Sequence, residues 1–146
     1  MAAVPLGCLG HLRENPAAVG FAALDSQAGI TPQDEEIARL LRERVFGDKD
    51  RPNIPVQVVA NKVDGPRWEA HALEAAALGL GEPLLVSAKN NYMRRELIDR
   101  LYEMVAGLPG AEGAEPAARV DMHLAIVGKR NAGKSTLVNA LAGQKR

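Results

Sequence analysis

The chain has 146 residues, a length that suits one small domain, and apolar residues make up 47% of it. Its 18 basic and 18 acidic residues balance, so net charge gives no reason to expect binding to DNA or to an acidic membrane. A single cysteine, Cys8, excludes an internal disulfide, and no stretch approaches the ~20 apolar residues of a membrane span, so we expect a cytoplasmic protein with no membrane or DNA partner.

The first part of the chain predicts an irregular leader, a strand and a capped helix. Residues 1–18 show no hydrophobic period and contain several prolines and glycines. Residues 19–25 form an apolar run of strand length. In the helix that follows, Thr31 is predicted to be the N-cap and Pro32 the first helical residue. The acidic residues after them would interact favourably with the positive end of the helix dipole. Its predicted apolar face consists of Ile37, Leu40, Leu41 and Val45.

Two further pairs of strand and helix are predicted. The β-branched run at residues 56–60 is a strand, followed by a helix over residues 67–79 with Gly79 as its C-terminal stop. Residues 83–87 form the next strand, and the helix after it begins near Arg94. The apolar stripe of that helix is predicted to be Leu97, Ile98, Leu101, Tyr102 and Val105.

The last part of the chain predicts a linker, a strand and a helix. Residues 107–120 are rich in Gly, Pro, Ala and Glu and form the best linker candidate. His123–Val127 is a strand, and a helix begins near Lys134. Strands that alternate with helices predict an α/β fold with a mostly parallel sheet flanked by helices. Because ligands of such sheets bind beyond the carboxyl ends of the strands, motifs at those ends are candidates for a site.

A phosphate-binding motif follows the last strand. Residues 128–135 read GKRNAGKS and match G-x-x-x-x-G-K-[S/T] between a strand and a helix. Successive backbone N–H groups and the helix dipole would surround a phosphate, Lys134 would reach the β and γ oxygens, and the Ser135 hydroxyl would bind Mg²⁺. The alternative, an ordinary glycine-rich turn, rarely shows this spacing. The predicted phosphate-binding residues are Gly128, Lys129, Arg130, Asn131, Ala132, Gly133, Lys134, Ser135 and Thr136.

Two short motifs predict guanine recognition. After the second strand, residues 61–64 read NKVD, and a carboxylate at Asp64 can accept both N–H groups on one edge of guanine. Adenine presents a different pattern there and would leave the charge unpaired. Residues 87–89 read SAK after the third strand, where the Ala88 N–H can donate to the guanine carbonyl. Each motif alone also suits a polar turn. The predicted base-binding residues are Asn61, Lys62, Asp64, Ser87, Ala88 and Lys89.

The order of these motifs resembles the Der (EngA) family of bacterial GTPases, which have two consecutive G domains and belong to the TrmE-Era-Der group. The resemblance lies in DSQAGITPQDEEIARLLR, VQVVANKVD, ALGLGEPLLVSAK and LAIVGKRNAGKSTLVNAL, and covers residues 25–143. It implies a partial Ras-like P-loop NTPase fold. Residues 19–106 would be the C-terminal half of a first G domain, 107–120 a linker, and 121–146 the start of a second G domain.

The resemblance also implies a function. Family members bind GTP or GDP with Mg²⁺ and act in maturation of the large ribosomal subunit, which they contact through a KH-like domain absent from this sequence. Asn131 matches an asparagine that helps to hold K⁺ in related potassium-stimulated GTPases. The sequence departs from the family where the usual Pro-Asn-Val reads Arg130-Asn131-Ala132, which puts the rigidity of the loop in doubt.

Missing motifs set the expectation for catalysis and leave two alternatives. The sequence contains no D-x-x-G motif and no identifiable switch threonine, so we expect negligible GTP hydrolysis by this chain. One alternative is a truncated, circularly permuted GTPase, in which the linker of up to ~45 Å lets His123–Val127 lie beside residues 19–25. The other is a non-enzymatic, truncated gene product.

Overall fold

The computed structural model describes residues 18–43, 54–107 and 123–143 of the chain. Three sequence predictions lie outside these residues. They concern the leader except Ala18, the linker except Gly107, and Val45. The strands are β1 (Ala18–Asp25), β2 (Val56–Asn61), β3 (Leu84–Leu85) and β4 (His123–Val127). The helices are α1 (Pro32–Leu41), α2 (Glu69–Leu73), α3 (Arg94–Ala106) and α4 (Lys134–Ala142), with 3₁₀ turns at Pro66–Trp68 and Glu74–Leu78 beside α2.

The four strands form one sheet in the order β3-β2-β1-β4, and every pair is parallel. Ala22 at the middle of β1 is opposite Val58 of β2 on one side and Val127 of β4 on the other. The predicted parallel α/β fold is therefore confirmed. The pairing of β4 with β1 is the one that the permuted alternative predicts.

Side chains of β1 alternate between two apolar layers, as the pleat of a strand requires. Ala22 and Leu24 point into clusters formed with α1 and with the 3₁₀ turn that follows α2. Val19, Phe21 and Ala23 point to the opposite face, where they pack with residues of α3 and α4. The sheet therefore has helices on both faces, and the carboxyl ends of its strands share one edge.

Local signals place helix α1 as predicted. The backbone N–H of Thr31 donates to Asp34 Oδ2 at 3.0 Å, and the Thr31 hydroxyl donates to the same oxygen at 2.5 Å. Pro32 occupies the first helical position, and Ile37 and Leu41 are buried. The cap and the apolar face therefore agree on the start and orientation of this helix.

The predicted continuous helix over residues 67–79 is wrong. A 3₁₀ turn, the short helix α2 and a second 3₁₀ turn replace it, although Gly79 ends the segment in the left-handed conformation as predicted. Ala72, Ala75 and Leu78 are buried at intervals of three residues. Because a 3₁₀ helix has three residues per turn, it keeps this spacing on one face better than an α-helix does.

Two further predictions fail in detail. Tyr102 is 72% exposed, because the buried face of α3 runs through Leu97 and Met104 and the tyrosine lies beside it. Strand β3 has two residues instead of the five predicted at 83–87. The chain leaves the ladder early: Val86 accepts a bond from the Val63 N–H at 3.0 Å, and its own N–H donates to Ala60.

Candidate functional site

The three predicted motifs meet at the carboxyl edge of the sheet, and Asn61 joins them. Its Nδ2 donates at 3.0 Å to the carbonyl oxygen of Ala132. Ala132 lies in the predicted phosphate-binding segment of residues 128–136, called the phosphate loop below. The Oδ1 of Asn61 accepts from the backbone N–H of Ala88 at 3.1 Å. Asn61 is 2% exposed, and the bond to Ala132 is buried while the bond from Ala88 is partly buried. One side chain thus connects the NKVD motif with the SAK loop and with a loop 71 residues further along the chain.

Two glycines allow the phosphate loop to approach the first half of the chain. A Cβ added at Gly128 would lie 2.2 Å from the carbonyl oxygen of Ala23 in β1. A Cβ added at Gly133 would lie 2.4 Å from Asn61 Nδ2. The glycines of the motif are therefore required here by contacts with the neighbouring β1 and β2 segments as well as by the loop itself.

Lys134 is held inside the phosphate loop at the start of α4. Its ammonium donates to the carbonyl oxygens of Gly128 at 2.9 Å and Lys129 at 2.6 Å. Leu137 of the same helix is fully buried among the side chains of β1, β2 and α3. The helix is thereby anchored on its apolar face, while its N-terminus and the lysine lie at the edge of the sheet.

The NKVD motif is braced by the last residue of β1 and by Gln27, which follows the strand. The ammonium of Lys62 lies 2.7 Å from Asp25 Oδ2. Gln27 Nε2 donates to the Lys62 carbonyl at 3.1 Å and to Asp64 Oδ2 at 3.0 Å. The other oxygen of Asp64 accepts from the Ser87 hydroxyl at 2.6 Å. Both oxygens of the carboxylate are therefore fixed in direction by neutral donors, which leaves its charge available to a ligand.

The SAK loop is closed by a short antiparallel bridge. Ser87 and Tyr92 exchange two backbone hydrogen bonds of 3.1 Å. The Tyr92 hydroxyl donates to Glu69 Oε1 at 3.1 Å, and this bond raises the pKa of Tyr92. The Ala88 N–H, predicted to meet guanine, already donates to Asn61, so a ligand carbonyl would have to share that donor.

An open groove between α3 and α4 continues from the site. Its volume is about 1070 Å³, and it begins at Ala88 of the SAK loop and at Thr136 of α4. Three cationic side chains line it, and the described lining residues include no carboxylate. The groove therefore suits an anionic ligand. The cationic side chains are Lys89, Arg94 and Arg95.

The structure brings the predicted phosphate-binding residues to one place, but their side chains differ in exposure and in the element that they face. Arg130, Asn131, Ser135 and Thr136 are exposed at the loop and the start of α4, whereas Ala132 is fully buried. The ammonium of Lys129 lies 3.4 Å from Asp34 Oδ2 of α1.

Sequence reasoning missed four residues of the site: Asp25, Gln27, Asp34 and Asn90. The position of Asp25 at the end of a predicted strand was a usable signal. Asn90 Nδ2 approaches Asp64 Oδ1 at 3.4 Å. Nothing in the sequence marked this residue or Gln27.

Comparison with known proteins agrees with the motifs. Residues 123–146 match the family described as "50S ribosome-binding GTPase". The protein "GTPase Der" of Moorella thermoacetica is 40% identical over 123 residues, which are 84% of this chain. The chain matches a segment of Der-family proteins. "GTPase Der" of Acinetobacter baumannii (strain SDF) is 40% identical over 133 residues, 90% of this chain, and that of Bradyrhizobium sp. is 38% identical over 131 residues.

The relatives are much longer than this chain. It spans about a quarter of the length of the Der proteins it matches, 25% and 26% for the two at 40% identity. In the ranges 18–43, 54–107 and 123–143, no helix has the length and apolar character needed to cross a membrane. Those ranges also contain no cluster of three or more His, Cys, Asp or Glu residues able to hold a metal ion.

Proposed function

We propose that this chain binds a guanosine diphosphate or triphosphate in one composite pocket. Residues before the linker would recognise the base, and residues after it would bind the phosphates. The observation that carries the proposal is the pair of hydrogen bonds made by the buried Asn61 side chain, which donates to the Ala132 carbonyl and accepts from the Ala88 N–H and so joins the three motif loops. The names of the Der relatives, which are GTPases, support the nucleotide class.

The base would be recognised by Asp64 and the residues around it. The bonds from Ser87 and Gln27 orient the Asp64 carboxylate, and its remaining lone pairs would accept the two N–H groups of guanine. The stem of Lys62, fixed by its ion pair with Asp25, would lie over the base. Ala88 and Lys89 would lie beside the guanine carbonyl at the mouth of the cationic groove.

The phosphates would bind at the loop of residues 128–136, where the Lys134 ammonium would exchange its carbonyl partners for phosphate oxygens. Mg²⁺ fits this site because a serine hydroxyl is a hard oxygen ligand, and this metal keeps waters and phosphate oxygens as its other ligands. Ser135 would hold the metal, which neutralises phosphate charge when bound. Asn131, exposed in the loop, would contribute to a K⁺ site.

Nucleotide titrations test the proposal. We expect GDP to bind and ADP to bind at least ~100-fold more weakly, because adenine leaves the Asp64 charge unpaired. Asp64→Asn should weaken GDP and strengthen xanthosine diphosphate, since an amide can donate to the xanthine carbonyl. Calorimetry on the purified chain measures both affinities, with Asp99→Asn on the exposed face of α3 as control. Equal binding of GDP and ADP would reduce the site to a phosphate cradle.

We further propose that this chain does not hydrolyse GTP. The metal-linked D-x-x-G motif and a switch threonine are needed to hold Mg²⁺ and position water, and the sequence has no D-x-x-G motif and no identifiable switch threonine. Phosphate release should remain at the background rate. Turnover above background that Lys134→Ala abolishes would overturn this proposal.

The family supports a wider role for a full-length Der-type protein, beyond what this chain does alone: GTP hydrolysis in assembly of the large ribosomal subunit in the cytoplasm. The description "50S ribosome-binding GTPase" for the matching family motivates this part. Co-sedimentation of the chain with purified 50S subunits, with and without GTP, tests whether this segment itself contacts the subunit. No sedimentation in either condition would assign ribosome binding to residues outside this chain.

The domain assignment has two competing versions. In the tandem version, residues 19–106 end a first G domain, 107–120 link it, and 121–146 begin a second. The pairing of β4 with β1 favours the permuted version, in which one domain uses both parts. Sequencing the flanking DNA separates them. Both versions require a D-x-x-G motif downstream, but only the tandem version also requires a second N-K-x-D downstream and a P-loop upstream. If the chain binds no guanine nucleotide at all, the non-enzymatic alternative is favoured.

A further inference from the structure

A buried ion pair joins the phosphate loop to helix α1. The ammonium of Lys129 lies 3.4 Å from Asp34 Oδ2, and the two side chains are 10% and 1% exposed. The two residues are 95 positions apart and lie on opposite sides of the predicted linker. The pair therefore crosses the same junction as the bond from Asn61 to Ala132.

Burying the Asp34 carboxylate without a nearby cation would lower the stability of the fold. Its Oδ2 accepts from the N–H and hydroxyl of Thr31, while its Oδ1 is buried and has no partner among the residues that the structure describes. A buried carboxylate is destabilising unless a positive charge faces it. The phosphate loop supplies that charge through Lys129, so docking of the loop and compensation of the carboxylate occur together.

The backbone of Lys129 also contacts the lysine expected to reach the phosphates. Its carbonyl oxygen accepts from Lys134 Nζ at 2.6 Å and from the Ala132 N–H at 3.4 Å. Gly128, the residue before it, packs against the carbonyl of Ala23. A side chain that fixes Lys129 therefore fixes the centre of the phosphate loop.

We propose that Lys129 and Asp34 are positioning residues that seat the phosphate loop on the first half of the chain. Guanine nucleotide affinity then depends on a carboxylate in α1 that does not touch the nucleotide. The inference rests on the proposed nucleotide site. It gives the Lys129 side chain a docking role, while its backbone N–H stays available to a phosphate.

The experiment uses four variants of the full chain: Asp34→Asn, Lys129→Met, the double variant and Lys129→Arg. Asn keeps the shape of Asp34 and an acceptor for Thr31. An exposed ion pair on α1 provides matched controls, Glu36→Gln and Arg39→Met. Each protein is titrated with a fluorescent GDP, and hydrogen exchange is followed in residues 124–127 of β4 and residues 57–60 of β2 without nucleotide.

We expect each single variant to weaken GDP binding by about tenfold, and the double variant to be within about threefold of either single variant, because the two changes remove one interaction. Lys129→Arg and both controls should bind within about threefold of the original chain. Exchange in β4 should accelerate about tenfold in the single variants while exchange in β2 stays unchanged.

Several outcomes would overturn the proposal. If Lys129→Met loses affinity and Asp34→Asn does not, the lysine contacts phosphate directly. If exchange accelerates equally in β2 and β4, the pair serves general stability and does not position the loop. If no protein binds GDP, the proposed function fails, but the exchange data still decide on docking: additive effects of the two changes in β4 would refute the pair.

Discussion

The two sides of the site differ in how the sheet holds them. Strand β1 lies between two neighbours, and its residues 19–24 are all buried. Strand β4 pairs with β1 alone among the described strands, and its residues 124–127 are half-buried. The base motifs therefore belong to segments with their own core, whereas the phosphate loop depends on a few specific contacts. We therefore expect nucleotide binding to be lost when β4 and α4 undock from β1, before the rest of the chain unfolds.

The largest expected effect comes from Gly128→Ala. The new methyl group would lie 2.2 Å from the Ala23 carbonyl oxygen, so β4 must move away from β1. We expect GDP affinity to fall about 100-fold or more, in line with the cost of overpacking a tight contact. Calorimetry measures the affinity, and hydrogen exchange shows whether β2 keeps its protection.

Gly107→Ala is the matched control. This glycine has a helical conformation, and a Cβ added to it would lie 3.7 Å from the nearest atoms, which is an ordinary van der Waals contact. If Gly128→Ala unfolds β2 together with β4, the two sides of the site are one cooperative unit and the comparison above is wrong.

A smaller effect is expected from Asn61→Ala, which removes the link between the two sides. The Ala132 carbonyl and the Ala88 N–H each lose a buried partner, at about 1–3 kcal/mol for each group left unsatisfied. GDP affinity should fall by about tenfold to a hundredfold, and urea unfolding should show a lower free energy of unfolding. Gln33→Ala, an exposed amide on α1, should change neither quantity.

The smallest effect is expected from Gln27→Ala, which acts within the base side alone. Losing its bond to Asp64 Oδ2 should weaken GDP binding by about two- to fivefold, the value of one exposed hydrogen bond. Asn90→Ala should weaken it less, because its contact with Asp64 is longer, at 3.4 Å. A change in β4 hydrogen exchange in the Gln27 variant would show that the two sides are more tightly coupled than their packing indicates.

Features that depend on neighbouring residues in the sequence were predicted well. Thr31, Pro32 and Asp34 mark the start of α1 by local chemistry, and Gly79 marks a left-handed stop. The strand tips and their motifs were also found, since each motif follows an apolar run of strand length. The shape of the segment around α2 was not, because burial at every third residue depends on what packs against it.

Contacts between distant segments explain the rest of what was missed. The sequence offered the pairing of β4 with β1 as one alternative, but could not select it, since strand partners are chosen by packing across a sheet. The orientation of Lys129 toward Asp34 is a similar case. The phosphate motif alone indicates which loop surrounds a phosphate, but not which side chains of the loop are turned toward other elements.

The strand order has a consequence for the time course of folding. Partners in β1 and β2 are 36 positions apart at Gly20 and Val56, whereas Ala18 and His123 of β1 and β4 are 105 apart. Closing the longer loop costs more chain entropy, and pairings distant in sequence form slowly. β4 is also the last of the four strands to be synthesised. We therefore expect a nascent chain to pair β1 with β2 first and to dock β4 and the phosphate loop last.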